Sequence, residues 1–150
     1  MTRRIFHINV NVTNMERSVA FYKHFGFRED RGAETEAPGL ASAFATRSGR
    51  IRWTHLLLGE GSELCRLDLV QWYDGSGEAP ARKPLDEPGL GRFSILVDDI
   101  QAEYRRLRAA GVQFVAPPGV SRTIHGDFWV AVAIDPDNVN VQLIQPPSGL

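Results

Sequence analysis

Two stretches of the chain share one hydrophobic rhythm. In Arg4–Phe27, Ile8, Val10 and Val12 alternate with His7, Asn9 and Asn11, a period of two that predicts a strand with one buried and one polar face. The spacing then lengthens: Met15, Val19 and Tyr22 stand at i, i+4 and i+7, on one face of a helix. Thr13-Asn14-Met15-Glu16 in front of it reads as a capping box, and Gly26 as its C-terminal stop. From Arg92 to Val97 the alternation returns, with Phe93, Ile95 and Val97 buried and Arg92, Ser94 and Leu96 opposite. Asp98-Asp99-Ile100-Gln101 offers a second cap, Ile100, Tyr104 and Leu107 a second helical face, and Gly111 a second stop.

The register between the two is constant. Val97, Ile100, Leu107 and Gly111 each lie 85 residues after Val12, Met15, Tyr22 and Gly26. Asp68-Leu69-Val70-Gln71 is matched by Gln142-Leu143-Ile144-Gln145 at an offset of 74. Self-similarity of this kind predicts two copies of a strand, a helix and several strands.

Between these anchors the pattern is uneven. Residues 28–49 are weakly patterned, with a short strand candidate at Ser42–Thr46, and read as a loop. Ile51–Leu58 and Leu64–Gln71 are strand candidates joined by Gly59-Glu60-Gly61-Ser62, which predicts an antiparallel hairpin. Asp74–Gly89 is rich in Gly, Pro and charge and reads as a linker. Ala116–Gly126, with Pro117-Pro118, reads as a loop; Phe128–Ile134 and Asn140–Gln145 as strands around the turn Asp135-Pro136-Asp137-Asn138. The expected organisation is one α+β domain over 1–150, with module one at 4–73, a linker at 74–90 and module two at 91–147.

Composition adds mainly exclusions. With 43% hydrophobic and 23% charged residues, the chain reads as a soluble globular protein of one-domain size. A net charge of −1 gives no footprint for nucleic acid or an anionic membrane, and the apolar runs are too short to span a bilayer. MTRRIF runs straight into a strand pattern with no signal-peptide core, and one cysteine excludes an internal disulfide framework; both are consistent with the cytoplasm. That residue, Cys65, is expected to be a buried structural thiol. No HExxH, CxxC, GxSxG or phosphate-loop pattern occurs. Of the other histidines, His24 lies near a helix end, while His55 and His125 are weaker candidates for a cavity.

The opening HINVNVTNMERSVAFYKHFGF, the middle VDDIQAEYRRLRAAGV and the closing DPDNVNVQLIQ together resemble the vicinal oxygen chelate superfamily. That group includes glyoxalase I, extradiol dioxygenases, fosfomycin resistance enzymes and bleomycin resistance proteins. The resemblance implies two βαβββ modules whose mixed sheets curl around a shared cavity with helices outside, and a homodimer. It also implies a divalent metal (Zn, Ni, Mn or Fe) held from the first and last strand of each module. By position the ligands are His7, Asp68 and Gln142, with Arg92 at the fourth place. Two features depart from the family. Arg92 has no lone pair to give a metal, and Gln142 stands where glutamate is usual. The turn also has Asn138 where the family has glycine.

Alternation puts His7, Asn9, Asn11, Arg66, Asp68, Arg92, Ser94, Asn140 and Gln142 on the concave side. The expected catalytic residues are His7 and Arg92; Asn9, Asn11, Arg66, Ser94, Trp129 and Asn140 are expected to line the substrate. Arg92 is suited to hold a carboxylate or enolate where a metal is absent. Two functions follow: a lyase, isomerase or dioxygenase acting on a substrate with adjacent oxygens, or a metal-free protein that sequesters a small molecule. Either way the partner is a small molecule, not nucleic acid or membrane.

Overall fold

A computed structural model describes residue 1 and residues 4–148, in two compact units, 1–79 and 80–150. The first unit contains β1 (Ile8–Asn11), α1 (Met15–Lys23), β2 (Arg28–Glu36), α2 (Pro38–Phe44), β3 (Arg50–Leu58) and β4 (Cys65–Trp72). Its sheet runs β1-β4-β3-β2, with β1 parallel to β4 and the other pairs antiparallel. The second unit contains β5 (Phe93–Leu96), α3 (Ile100–Ala109), β6 (Gln113–Phe114), β7 (Gly119–Thr123), β8 (Gly126–Ile134) and β9 (Asn140–Gln145). Its sheet runs β5-β9-β8-β6, with β7 also on β8. The architecture is α+β with two mixed sheets, as the repeat predicts.

Each sheet buries one face beneath a helix. In the first unit α1 packs on β3 and β4, burying Met15, Val19 and Tyr22 over Val10, Leu56, Leu67 and Leu69. In the second, α3 packs on β8 and β9, with Ile100 and Leu107 over Ala131, Ala133, Val141 and Leu143. The repeat extends to hydrogen bonds. Asn14 caps α1 by accepting from Arg17 N at 2.9 Å, and Asp99 caps α3 by accepting from Ala102 N at 2.9 Å. Gln71 Oε1 accepts from Met15 N at 3.0 Å, and Gln145 Oε1 from Ile100 N at 2.9 Å, tying each helix start to its closing strand. At the helix ends Phe27 N reaches Tyr22 O and Val112 N reaches Leu107 O, around Gly26 (φ +88) and Gly111 (φ +89). That left-handed step is one glycine takes without steric cost.

Several expectations are corrected. The cap of α1 is Asn14 and not Thr13: the Thr13 hydroxyl accepts from Arg17 Nη2, and Glu16 pairs with Arg52 at 2.5 Å. Residues 28–49 form a nine-residue strand, β2, followed by α2, so the candidate strand at Ser42–Thr46 overlaps the end of a helix. Pro38 at the start of α2 explains its onset, since the missing N–H would be unpaired there in any case. Within the expected loop 116–126 lies β7. Pro117-Pro118 breaks the counterpart of β2 into β6 and β7, because neither proline can donate to the ladder. Cys65 is exposed, at the outer end of β4 opposite Leu58. Asn138 adopts φ +67, a left-handed conformation that asparagine tolerates, and its N–H closes the turn onto Asp135 O at 3.0 Å. No helix among the described residues is long and apolar enough to cross a membrane.

Candidate metal centre

Strand register decides which side chains meet on the open face of the first sheet. β1 and β4 pair in parallel with Asn9 beside Asp68, and β3 and β4 pair antiparallel with His55 opposite Asp68. Partners across a ladder point to the same side, and so do residues two apart along a strand. His7, Asn9, His55, Arg66 and Asp68 therefore share the face away from α1. His7 Nε2 lies 3.9 Å from Asp68 Oδ2, and His55 Nε2 lies 3.6 Å from Asp68 Oδ1. One donor atom from each of the three falls within 4.8 Å of the others.

The polar atoms here are incompletely satisfied. His7 Nδ1, His55 Nδ1, Arg66 Nε and Asp68 Oδ1 are buried without a hydrogen-bond partner among the described residues. Buried polar atoms are ordinarily paired with protein, ordered water or an ion, so four on one face call for a partner from outside the chain. Donor atoms around one ion at ~2.1 Å lie about 3–4 Å apart, so small side-chain rotations would bring all three onto it. Two imidazoles and one carboxylate form the donor set of a facial triad that leaves positions open for substrate. The residues fit a divalent ion.

Electrostatics favour neutral imidazole at His55. Burial pushes its pKa below the ordinary 6.5, helped by the cations of Arg66 and Arg31 and by His7, and opposed by Asp68. A neutral ring keeps the lone pair a metal needs. The sign for stability follows. Between the lowered folded value and about 6.5 the unfolded chain binds the proton more readily, so stability is full above that window and is lost as pH falls through it. The urea midpoint of the wild type is expected to drop more between pH 7.5 and 5.5 than that of His55→Gln; equal drops would show that His55 contributes nothing.

Aromatic rings and a bulge frame the triad. Trp53 lies 4.8 Å from the His55 ring and Phe6 lies 5.2 Å from His7, centroid to centroid. Arg66 stacks over Phe6, with Cζ 4.8 Å from the ring centre. The β2–β3 register shifts between Glu29 and Arg31, and beyond the shift Arg31 stands opposite His55. Bulges re-aim side chains beside functional sites. Asp30, at this one, is held below the usual carboxylate range chiefly by Arg31, with weaker help from Arg66 and His55.

The other expected residues are distributed differently. Asn9 Nδ2 donates to Asp68 Oδ2 at 3.4 Å, and Asn11 Oδ1 accepts from Trp72 Nε1 at 3.0 Å. Arg92 and Gln142 belong to the second unit, where Arg92 Nε donates to Gln142 Oε1. Ser94 pairs with Gln142 across β5–β9 and is exposed. Asn140 is buried, and its amide donates to Lys83 O and Gly91 O at 3.0 Å each, binding the linker to β9. Trp129 stands opposite Gln145 and alternates with Val130 and Val132, so it lies on the α3 side of its sheet, away from Gln142. His24 ends α1, and His125 sits in the β7–β8 turn.

The residue that sequence reasoning undervalued is His55. Its counterpart is Val132, opposite Gln142 as His55 is opposite Asp68. Where module one offers His7, His55 and Asp68, module two offers Arg92, Val132 and Gln142, none of them anionic or imidazole. The triad is a property of the first module.

The model of the Glyoxalase/Bleomycin resistance protein/Dioxygenase superfamily matches residues 4–143. The chain belongs to this superfamily. Among solved structures, this glyoxalase-superfamily protein is similar to a glyoxalase family protein from Bacillus cereus at 16% identity and TM-score 0.81, covering 97% of this chain and 95% of that one. It is similar to glyoxalase I from Zea mays at 21% identity and TM-score 0.67, over 95% of this chain and 47% of that one. It also resembles the fosfomycin resistance protein FosX from Listeria monocytogenes, solved with Mn(II) and sulfate, at 12% identity and TM-score 0.65, over 99% and 96%. At these identities the likeness is one of fold. No curated protein matches the chain.

Proposed function

We propose that this superfamily member is a small-molecule enzyme, a lyase, isomerase or dioxygenase, acting on a substrate with adjacent oxygens. In this reading His7, His55 and Asp68 hold a divalent ion. The observation that carries it is the cluster of buried, unpartnered polar atoms on three residues of metal-ligating type. The manganese in the FosX structure adds support from a protein of the same fold. Bound there, a divalent ion would act as a Lewis acid toward the substrate's oxygens.

The chain's own groups do the rest. Asn9 holds the Asp68 carboxylate in place, and Trp53 and Phe6 wall the site with apolar surface. His7 is the ligand by position and, with the ion absent, the base. Arg92, in the second unit, has its Nε engaged by Gln142 and keeps its terminal nitrogens free of that bond. Gln142, expected as a ligand by position, is engaged by that bond within the second unit, and the third donor beside His7 and Asp68 is His55. A cytoplasmic homodimer completes the reading.

One observation favours a second reading, a metal-free protein that binds and sequesters a small molecule. At the positions matching His7, His55 and Asp68 the second module carries Arg92, Val132 and Gln142, none of them a strong ligand, as suits a metal-free binding protein. Metal analysis of the purified protein, with thermal shifts across Zn, Ni, Mn and Fe(II), separates the two. The enzyme reading expects about one ion per chain and a rise in Tm; no ion and no rise would leave the binding protein.

A further inference from the structure

Arg66 is not used by the metal, and its placement is unusual. Its Nε is buried with no hydrogen-bond partner among the described residues, two positions from Asp68 on the same strand and the same face. The guanidinium stacks on Phe6, and its field reaches both His55 and Asp30. Arg31, opposite His55, adds a second cation at the rim, its Nε 3.0 Å from the neighbouring Asp30. Arg31 and Arg66 stand against Asp30 and Asp68 on this face, and a divalent ion would add two further positive charges. A flat guanidinium with an unpartnered Nε beside such a centre is complemented by an anion.

We propose that the site selects substrates carrying a carboxylate next to the chelating oxygen, and that Arg66 is the residue that grips the carboxylate. This rests on the reading of the His7, His55 and Asp68 face as the substrate site. A planar carboxylate matches the guanidinium fork in a way a lysine ammonium cannot reproduce. The flanking rings of Phe6 and Trp53 suit a flat ligand, which makes an aromatic or enol-type acid a better occupant than tetrahedral phosphate. Burial strengthens the contact, because the partner of Arg66 is offered in place of water.

The test compares salicylate with uncharged salicylamide by calorimetry, on metal-free and on Mn(II)-loaded protein. The wild type is expected to bind salicylate at least ~10-fold more tightly than the amide, the order of one charge-assisted hydrogen bond. Arg66→Gln is expected to abolish that preference, and Arg66→Lys to restore only part of it, with circular dichroism confirming that each variant folds. Equal affinity for acid and amide, or full preference retained in Arg66→Gln, would overturn the proposal. Displacement of salicylate by inorganic phosphate at equal concentration would also overturn it, by revealing an unselective anion site. Preference retained in a wild type that takes up no metal would sink the metal reading and leave this one standing.

Discussion

Replacing His55 with alanine is expected to weaken binding of a divalent ion by at least the ~100-fold that losing even a supporting group of a metal site can cost. His55 is one of three donors, and the remaining pair, His7 and Asp68, is too few to hold an ion against the cations of Arg31 and Arg66. Calorimetry with Mn(II) or Zn(II) should therefore show about one site in the wild type and no measurable binding in His55→Ala or His7→Ala. Gln142→Ala is the discriminating control. The family pattern makes Gln142 a ligand, whereas the first-module triad does not involve it. Binding that survives His55→Ala but fails in Gln142→Ala would refute the triad and restore the family arrangement.

The route by which His55 escapes a reading of the sequence is instructive. Ile51–Leu58 contains Trp53, His55 and three leucines, which reads as a strand with one histidine on it and no clear polar face. Only the hairpin register sets His55 opposite Asp68, and that register follows from the turn at Gly61–Glu63, which leaves Leu58 opposite Cys65. The strand ends expected from the sequence, Leu58 and Leu64, would set His55 opposite Leu67, so the pair emerges only from the observed register. Trp129 fails for the complementary reason: parity along β8 puts it with Ala131 and Ala133, beneath α3. Residue type suggested a pocket wall, and alternation decided otherwise.

The repeat was legible because identical devices recur at fixed offsets. Asn14 and Asp99, Gln71 and Gln145, and Gly26 and Gly111 do the same work in each copy. What the repeat could not convey is where one copy has diverged. β2 is continuous and charged, while its counterpart is cut by Pro117-Pro118 into two short strands. The helix α2 was illegible because Gly39 and its small neighbours carry no periodicity, and its end at Ala45 adopts a left-handed conformation (φ 52) that alanine seldom takes.

Leu69 and Leu143 are the same position in the two modules, and each is expected to cost about 2–5 kcal/mol when cut to alanine. They are 0% and 1% exposed, in the middle of β4 and β9, each beneath the helix of its own unit. Neither site allows easy collapse. Leu69 is packed among Val10, Leu56 and Leu67, and Leu143 among Ala131, Ala133 and Val141, whose side chains are too short to move into the void. The Leu143 cavity should relax less, so Leu143→Ala is expected to be the more damaging of the pair in urea denaturation. The two variants also separate stability from function. Leu69 is next to Asp68 in β4, so Leu69→Ala is expected to lower metal affinity as well as stability. In Leu143→Ala, below its unfolding midpoint, the ion should still bind with wild-type affinity, because every residue of the triad lies within 1–79. Equal loss of metal in both would mean that the second module supplies a ligand after all.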